Sequence, residues 1–268
     1  MKKAAVIISF YNNLDFLKHL LAGFSRQTEK SFEVIISDDG SKEAIVTELH
    51  KIIPNYNFNI KHVWHEDNGW QKNKILNKAI GATEAPYLIF LDGDCIPHRS
   101  FVEEHLNNAE DQTILTGRRV YLTEKFSKTL TEKYVREGGL ENIVKHIKNK
   151  TWQWENGIYL GKSPLRHLFN KKIKGVLGCN FSTSKQAMLM LNGFDERYKY
   201  PTVGEDVDIE YRLRNANHKV KTLKFLAIQY HLWHKKLTRE MTPQNMKILE
   251  EAIENKTIFT AYGIDKSK

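Results

Sequence analysis

The feature that most constrains this chain is a rhythm near its start. Three short apolar runs rich in β-branched residues, "AAVIISF", "FEVIISD" and "APYLIFLD", each stop abruptly in polar residues. Continuous apolar runs of this length suit strands buried on both faces. Between and after them, "LDFLKHLLAGFSRQT", "EAIVTELHKII" and "QKNKILNKAIGAT" place apolar residues at helical spacing, and "NIKHVWHE" reads as a further strand. A β-α-β-α alternation predicts a mostly parallel sheet with helices on both sides. In such sheets ligands bind at the carboxyl ends of the strands. The polar endings Tyr11-Asn12, Asp38-Asp39 and Asp92-Asp94 are therefore expected to share one edge.

The chain has 268 residues, 41% of them hydrophobic, enough for one sizeable α/β domain or one domain with an appended lobe. Its net charge of +9 favours polyanions: nucleic acid, an anionic membrane, or a phosphorylated small molecule. The two cysteines, Cys95 and Cys179, form no CxxC, which excludes a disulfide framework and a zinc site and fits a reducing cytoplasm. The start imitates a signal peptide, but Asn12, Asn13 and Asp15 cut its apolar stretch short. No run approaches the roughly 18 apolar residues of a membrane span. A soluble or peripheral protein is expected. Neither GxGxxG nor GxxxxGK[ST] is present, which argues against a standard dinucleotide site and a P-loop.

Character changes after Gly117. Residues 118–174 carry 14 Lys and Arg against 5 Asp and Glu, together with the aromatic stretch "TWQWENGIYLG". The expected divisions are a first half over 1–117, a basic aromatic insertion over 118–174, a compact half over 175–240 and a helical tail over 241–268. Thr242 is the expected cap of that tail, with Pro243 at its first position.

Four clusters carry candidate chemistry. Asp92-Gly93-Asp94 ends a strand with two carboxylates, a platform for a hard divalent cation such as Mg²⁺ or Mn²⁺, or else an Asp-Gly turn. Asp38-Asp39-Gly40-Ser41 offers a carboxylate to a nucleobase N–H or a ribose hydroxyl, while Ser41 is placed to cap the next helix. Glu205, Asp206 and Asp208 crowd within four residues, so that one of them suits a general base, or they serve only the helix dipole. His231 and His234 lie near a strand end, as metal ligands or as structural histidines.

Taken together, "VIISFYNN", "VIISDDGS", "ILNKAIGATEAPYLIFLDGDCIP", "GCNFSTSKQAMLMLNGFDERY", "GEDVDIEYRL" and "YHLWH" resemble, in order and spacing over about residues 4–234, the family 2 inverting glycosyltransferases of GT-A fold. The second half looks like the branch similar to β-1,4-galactosyltransferases and the acceptor region of chondroitin polymerase. The resemblance implies a Rossmann-like, mostly parallel central sheet with flanking helices, plus the basic insertion and the C-terminal helix. It implies that Phe10 and Tyr11 line the nucleotide pocket, and that Asp38 or Asp39 binds the base or ribose. Asp92 and Asp94 match the DXD motif, with Asp94 a metal ligand and Asp92 on ribose or metal. His231 or His234 completes the metal shell, and His231 is preferred. Asp206 matches the catalytic base, Glu205 helps bind the acceptor, and Asn180 sits beside the sugar. Many family members carry Arg-Asn where this chain has Leu76-Asn77, so the resemblance implies that Lys72 or Lys74 takes over the diphosphate contact. The branch's Trp-Gly stretch is replaced here by "YKYPTVGED".

The expected reaction is a single displacement from a nucleotide-diphosphate sugar, most simply a UDP-sugar, assisted by Mn²⁺ or Mg²⁺. The acceptor is a glycan or lipid-diphosphate-linked hydroxyl in surface glycan synthesis. Trp152, Trp154 and Tyr159 are candidates to stack on sugars or to sit at a membrane interface, and the lysines around them to meet anionic lipid. The expected location is cytoplasmic, peripheral at the inner face of the membrane. Three rivals were weighed: a haloacid-dehalogenase-type phosphatase, a basic nucleic-acid-binding module, and a nucleotide-sugar binder without activity. The glycine between the acids argues against the first. The second lacks a recognisable nucleic-acid motif, so no nucleic acid partner is expected.

Overall fold

The computed structural model describes residues 2–161, 163–165, 175–201, 204–235, 238 and 240–267. The last part of the basic segment, 166–174, and residues 202–203 of "YKYPTVGED" lie outside these residues.

The three apolar runs are neighbouring strands. β1 (Ala4–Phe10) lies between β2 (Phe32–Asp38) and β4 (Tyr87–Asp92), parallel to both, and β3 (Asn59–Trp64) continues the sheet beyond β2. Successive residues of β1 alternate between two cores, as the pleat requires. Val6 and Ile8 pack with Leu17, Leu20, Leu21 and Phe24 of the helix Leu14–Phe24. Ala5 and Ile7 pack with Leu76, Ala79 and Ile80 of the helix Lys72–Gly81. Helices on both faces explain why the strands are apolar throughout.

Past β4 the sheet continues through β8 (Asn180–Ser184), which runs antiparallel, to β6 (Thr113–Thr116) and β9 (Lys219–Thr222), giving the order β3-β2-β1-β4-β8-β6-β9. The mostly parallel α/β architecture expected from the sequence is present. A second sheet was not foreseen. It contains β5 (Cys95–Pro97), β10 (Ile228–His231) and β7 (Arg118–Tyr121), in the order β5-β10-β7. In its register His231 sits opposite Cys95 on one side and Tyr121 on the other.

The described part of the basic segment has its own packing. Short helices at Glu124–Lys128, Glu132–Arg136 and Ile143–Lys148 bring Phe126, Leu130, Val135 and Leu140 against Ile96, Ile228 and Tyr230. The tail helix, Thr242–Glu254, lies against the helix Glu205–Asn215, where Tyr211 Oη donates to the Ile253 carbonyl at 3.1 Å.

Two capping expectations fail. The tail helix is capped by Met241, without a side-chain bond, and Thr242 is its first residue. Ser41 does not cap the helix Glu43–Ile52: Lys42 holds that position. Ser41 Oγ instead accepts the Asn12 amide at 2.7 Å, and Asn12 Oδ1 accepts the Lys42 amide at 2.9 Å. The helix start is thus tied to the end of β1 rather than to its own preceding residue.

Candidate active site

Asp92 is the last residue of β4, and Asp94 lies in the tight connection to β5. Gly93 between them donates its amide to the Ser9 carbonyl at 2.9 Å, and a Cβ there would stand 2.7 Å from that oxygen. Only glycine lets the connection press so closely on β1. On the other side the Asp94 carbonyl accepts the Leu232 amide at 2.8 Å, so the main chain after β10 holds the acid in place. Asp94 Oδ2 lies 3.5 Å from His231 Nε2 and 3.1 Å from His234 Nε2, while Oδ1 accepts from the Cys95 thiol at 3.1 Å. Burial pushes the Asp94 carboxyl up, but the His234 hydrogen bond, the His231 charge and the Cys95 thiol outweigh it and hold it at about 2. Burial lowers His231, and the bond to Asp94 raises His234. Donor atoms of Asp94, Cys95 and His231 all lie within 4.8 Å of one another.

Asp92 turns the other way. Its Oδ1 meets Lys72 Nζ at 3.0 Å, and the same ammonium meets Glu205 Oε1 at 3.3 Å. Burial alone would lower Lys72, but Asp92 and Glu205 outweigh it and raise it, which fixes the charge. Burial raises Glu205, and Lys72 opposes that shift. Asp206 Oδ2 accepts the Gly178 amide at 3.1 Å, and Oδ1 accepts the Val207 amide at 2.9 Å. Lys72, Glu205, Asp206, Gly178 and Ser9 line a cavity of about 10 Å³, room for about one water. A larger hollow of about 440 Å³ lies along Tyr11–Asp15 and Ile45, away from these acids. Asp208 has a different role. It pairs with Arg212 at 2.6 Å inside the protein, and Arg212 also donates to the Leu191 and Gly193 carbonyls. Of the three clustered acids, two face the cavity and one anchors the helix.

The first acidic pair is occupied by the protein itself. Asp38 is fully buried; Oδ1 accepts the Ser41 amide at 2.8 Å and Oδ2 lies 2.9 Å from His62 Nε2. Asp39 lies 2.7 Å from His65 Nε2 and accepts the Gln71 amide at 3.0 Å. Burial raises its carboxyl, with His65 and Gln71 opposing. Phe10 is buried, while Tyr11 is exposed and donates to Asp67 at 2.9 Å. Asn77 pins its helix to the following loop: its amide donates to the Phe194 carbonyl at 2.9 Å, and its oxygen accepts the Phe194 amide at 2.8 Å. Lys74 Nζ donates to Gln71 Oε1 at 3.0 Å. Asn180 is buried, its amide donating to the Arg118 and Ala227 carbonyls and its oxygen 3.2 Å from His105 Nε2.

Three residues of this site were missed. Cys95 follows the DGD acids directly, and that adjacency was the available signal. Arg119 Nη1 donates to Cys179 Sγ at 3.0 Å, its Nε donates to Tyr121 Oη at 2.7 Å, and its guanidinium lies 4.7 Å over the Tyr121 ring. Nothing local in "GRRVYL" marks Arg119 or Tyr121, because the second sheet brings them in.

Acids and paired histidines thus lie together at the carboxyl edge of a mostly parallel sheet, and comparison with known proteins gives the family. Residues 5–173 match the family described as Glycosyl transferase family 2. The chain belongs to that family and is a glycosyltransferase. It is 28% identical over 226 residues to a chondroitin synthase of Escherichia coli, covering 78% of this chain and 32% of that protein. It is 26% identical over 241 residues to a hyaluronan synthase of Pasteurella multocida, covering 82% of this chain and 23% of that protein. The chain thus spans about a third or less of the length of these curated relatives. Among solved structures, S. aureus TarS 1–349 in complex with UDP matches with a TM-score of 0.58 at 16% identity, over 95% of this chain and 66% of that one. The complex of the same protein with UDP-GlcNAc matches equally, at 0.58 over 95% and 67%. The shared architecture is the GT-A fold. Among the described residues no helix is long and apolar enough to cross a membrane.

Proposed function

We propose that this chain transfers a sugar from a UDP-sugar to a hydroxyl of a growing glycan or lipid-linked saccharide, with inversion and with the help of a divalent cation. The observation that carries this reading is the convergence of four separate stretches. Asp94 with His231 and His234 lies on one side, and the Lys72-bridged Asp92 and Glu205 with Asp206 on the other. The UDP and UDP-GlcNAc complexes of TarS support the donor class. The chondroitin and hyaluronan synthases among the relatives support a polysaccharide product.

Asp94, His231 and His234 would hold the cation. A carboxylate with two imidazoles suits Mn²⁺ better than Mg²⁺, which prefers oxygen alone. When bound, the cation supplies Lewis-acid neutralisation of the diphosphate leaving group. The chain's own residues do the rest. Lys72 presents a fixed positive charge between Asp92 and Glu205, within reach of a diphosphate at the strand edge. Tyr11 and Asp39, at the ends of β1 and β2, flank the space for a base and ribose. Asp206 is oriented by two main-chain amides, and each carboxylate oxygen keeps a lone pair free. It takes the proton of the acceptor hydroxyl. The acceptor oxygen bonds to the anomeric carbon as the bond to the diphosphate oxygen breaks, and the electron pair leaves with UDP.

Asp206→Asn tests the catalytic part. It keeps the shape and one of the two main-chain hydrogen bonds but cannot take a proton. Turnover should fall at least about a hundredfold while metal-dependent UDP affinity is retained. Unchanged turnover would remove Asp206 as the base. A wild-type protein that binds UDP-sugar yet neither transfers nor hydrolyses it would point to a binder instead.

A further inference from the structure

The second sheet carries one row of side chains outward from the DGD acids. Cys95 sits opposite His231, His231 opposite Tyr121, and Tyr121 opposite Trp152 through a bridge in which each main chain donates to the other at 3.0 Å. Residues in one register row share a face of the sheet. The Tyr121 ring lies 5.2 Å from His231 and 4.7 Å from Trp152. The row ends in an indole that is 63% exposed. That exposure is held against the backbone's own preference. Lys150 and Gln153, two residues before and one after, have φ of +51° and +56°, where side chains other than glycine are strained. The loop is fixed by Thr151 Oγ1 donating to the His146 carbonyl, and by Asn156 Nδ2 donating to Gln153 Oε1 and the Arg119 carbonyl. A large apolar ring is thus rigidly presented to solvent, in line with a metal-ligand cluster. The other aromatic of this segment near a partner, Tyr159, is committed elsewhere: it donates to Glu104 at 2.6 Å and lies 4.8 Å from the His98 ring.

We infer that Trp152 is a specificity-determining platform that stacks on a pyranose ring of the acceptor, one or two sugars back from the reacting hydroxyl. This deepens the proposed function and rests on it. The indole face matches the C–H face of a pyranose, and a preset ring binds without an ordering cost. Strand spacing decides the subsite. Trp152 lies two inter-chain spacings beyond His231 along the row, roughly 10 Å in the main chain, which is farther than a single sugar ring spans. β1 and β2 belong to the first sheet, whereas Trp152 is bridged to the second. The ring therefore serves an extended saccharide and not the donor.

The test uses the full chain labelled with ¹⁵N at its indoles, with UDP and Mn²⁺ present. Chitotetraose, a chondroitin tetrasaccharide and a hyaluronan tetrasaccharide are titrated in turn, and then the matching monosaccharides. The Trp152 signal is assigned by its absence in Trp152→Phe. At least one tetrasaccharide should move that signal saturably, and its monosaccharides much less. Trp152→Ala should weaken that tetrasaccharide about tenfold, Trp152→Phe should retain most of the affinity, and UDP affinity should stay within about twofold in both. No movement with any tetrasaccharide, equal movement with monosaccharides, or a loss of UDP affinity in Trp152→Ala would each overturn the inference. So would loss of binding to phosphatidylglycerol vesicles in Trp152→Ala with saccharide affinity intact, which would assign the ring to a membrane. UDP affinity of the wild type, measured in the same samples, shows separately whether the donor reading itself stands.

Discussion

The two strands that flank β1 each end in paired acids, and the two pairs meet different partners. Asp38 and Asp39 close β2, and Asp92-Gly93-Asp94 closes β4. The first pair is saturated by the fold, through Ser41, His62, His65 and Gln71. Among the described residues the second meets side chains: an ammonium at Asp92, and two imidazoles and a thiol at Asp94. Each acid of the first pair accepts a main-chain amide beside an imidazole, which ties it to the fold. Asp92 and Asp94 are met instead by side chains that themselves suit a phosphate or a cation.

The largest expected effect breaks the pairs apart. Asp94→Ala should lower turnover per folded molecule by about a thousandfold. Asp38→Ala should instead cost about 2–4 kcal/mol of stability with turnover per folded molecule nearly intact. Activity loss without instability at Asp38 would put that acid in the site and end the contrast.

Lys72 comes next. Its removal leaves Asp92 and Glu205 facing each other without a cation. Lys72→Met should weaken UDP binding about tenfold to a hundredfold, and Lys72→Arg should restore part of it. Equal behaviour of the two variants would mean that the charge does not matter there.

A smaller effect concerns pH. Burial holds His105 down at about 3 from an ordinary 6.5, and His98 at about 4. The unfolded imidazoles take up protons below about pH 6.5, while the folded ones stay neutral. Stability is therefore complete above that pH and declines as pH falls toward the folded values, by up to about 1.4 kcal/mol per pH unit for each histidine. His105→Gln should remove one such contribution from urea midpoints measured between pH 7 and 5. An unchanged slope would show that His105 titrates normally. The smallest effect is Tyr159→Phe, which should cost under about 1.5 kcal/mol and leave saccharide affinity unaltered.

The β1, β2 and β4 strands of the central sheet were legible because burial on both faces leaves an unbroken apolar signature, whereas β6 and β8 were not. Helices at 14–24, 43–52 and 72–81 were legible from their spacing. The second sheet was not, because β5, β7 and β10 are three or four residues long and pair over more than a hundred positions of sequence. That sheet is what seats His231 beside Asp94 and sets Tyr121, Arg119 and Trp152 in place. The DGD and GED acids could be picked out as clusters. Which member turns inward could not, since Asp208 differs from Asp206 only in facing Arg212. Asn77 and Asn180 show the same limit: the polar residue is visible in the sequence, but its commitment to main-chain partners is set by long-range packing.

The most direct test of the account is calorimetric titration of UDP into the protein, with Mn²⁺ and then with EDTA, on the wild type and on Asp94→Ala. Binding that requires Mn²⁺ and disappears in Asp94→Ala is the expected result. UDP binding that is equal in EDTA, or equal in Asp94→Ala, would contradict a cation held between Asp94 and the histidines. No binding at all would remove the donor site from this edge of the sheet.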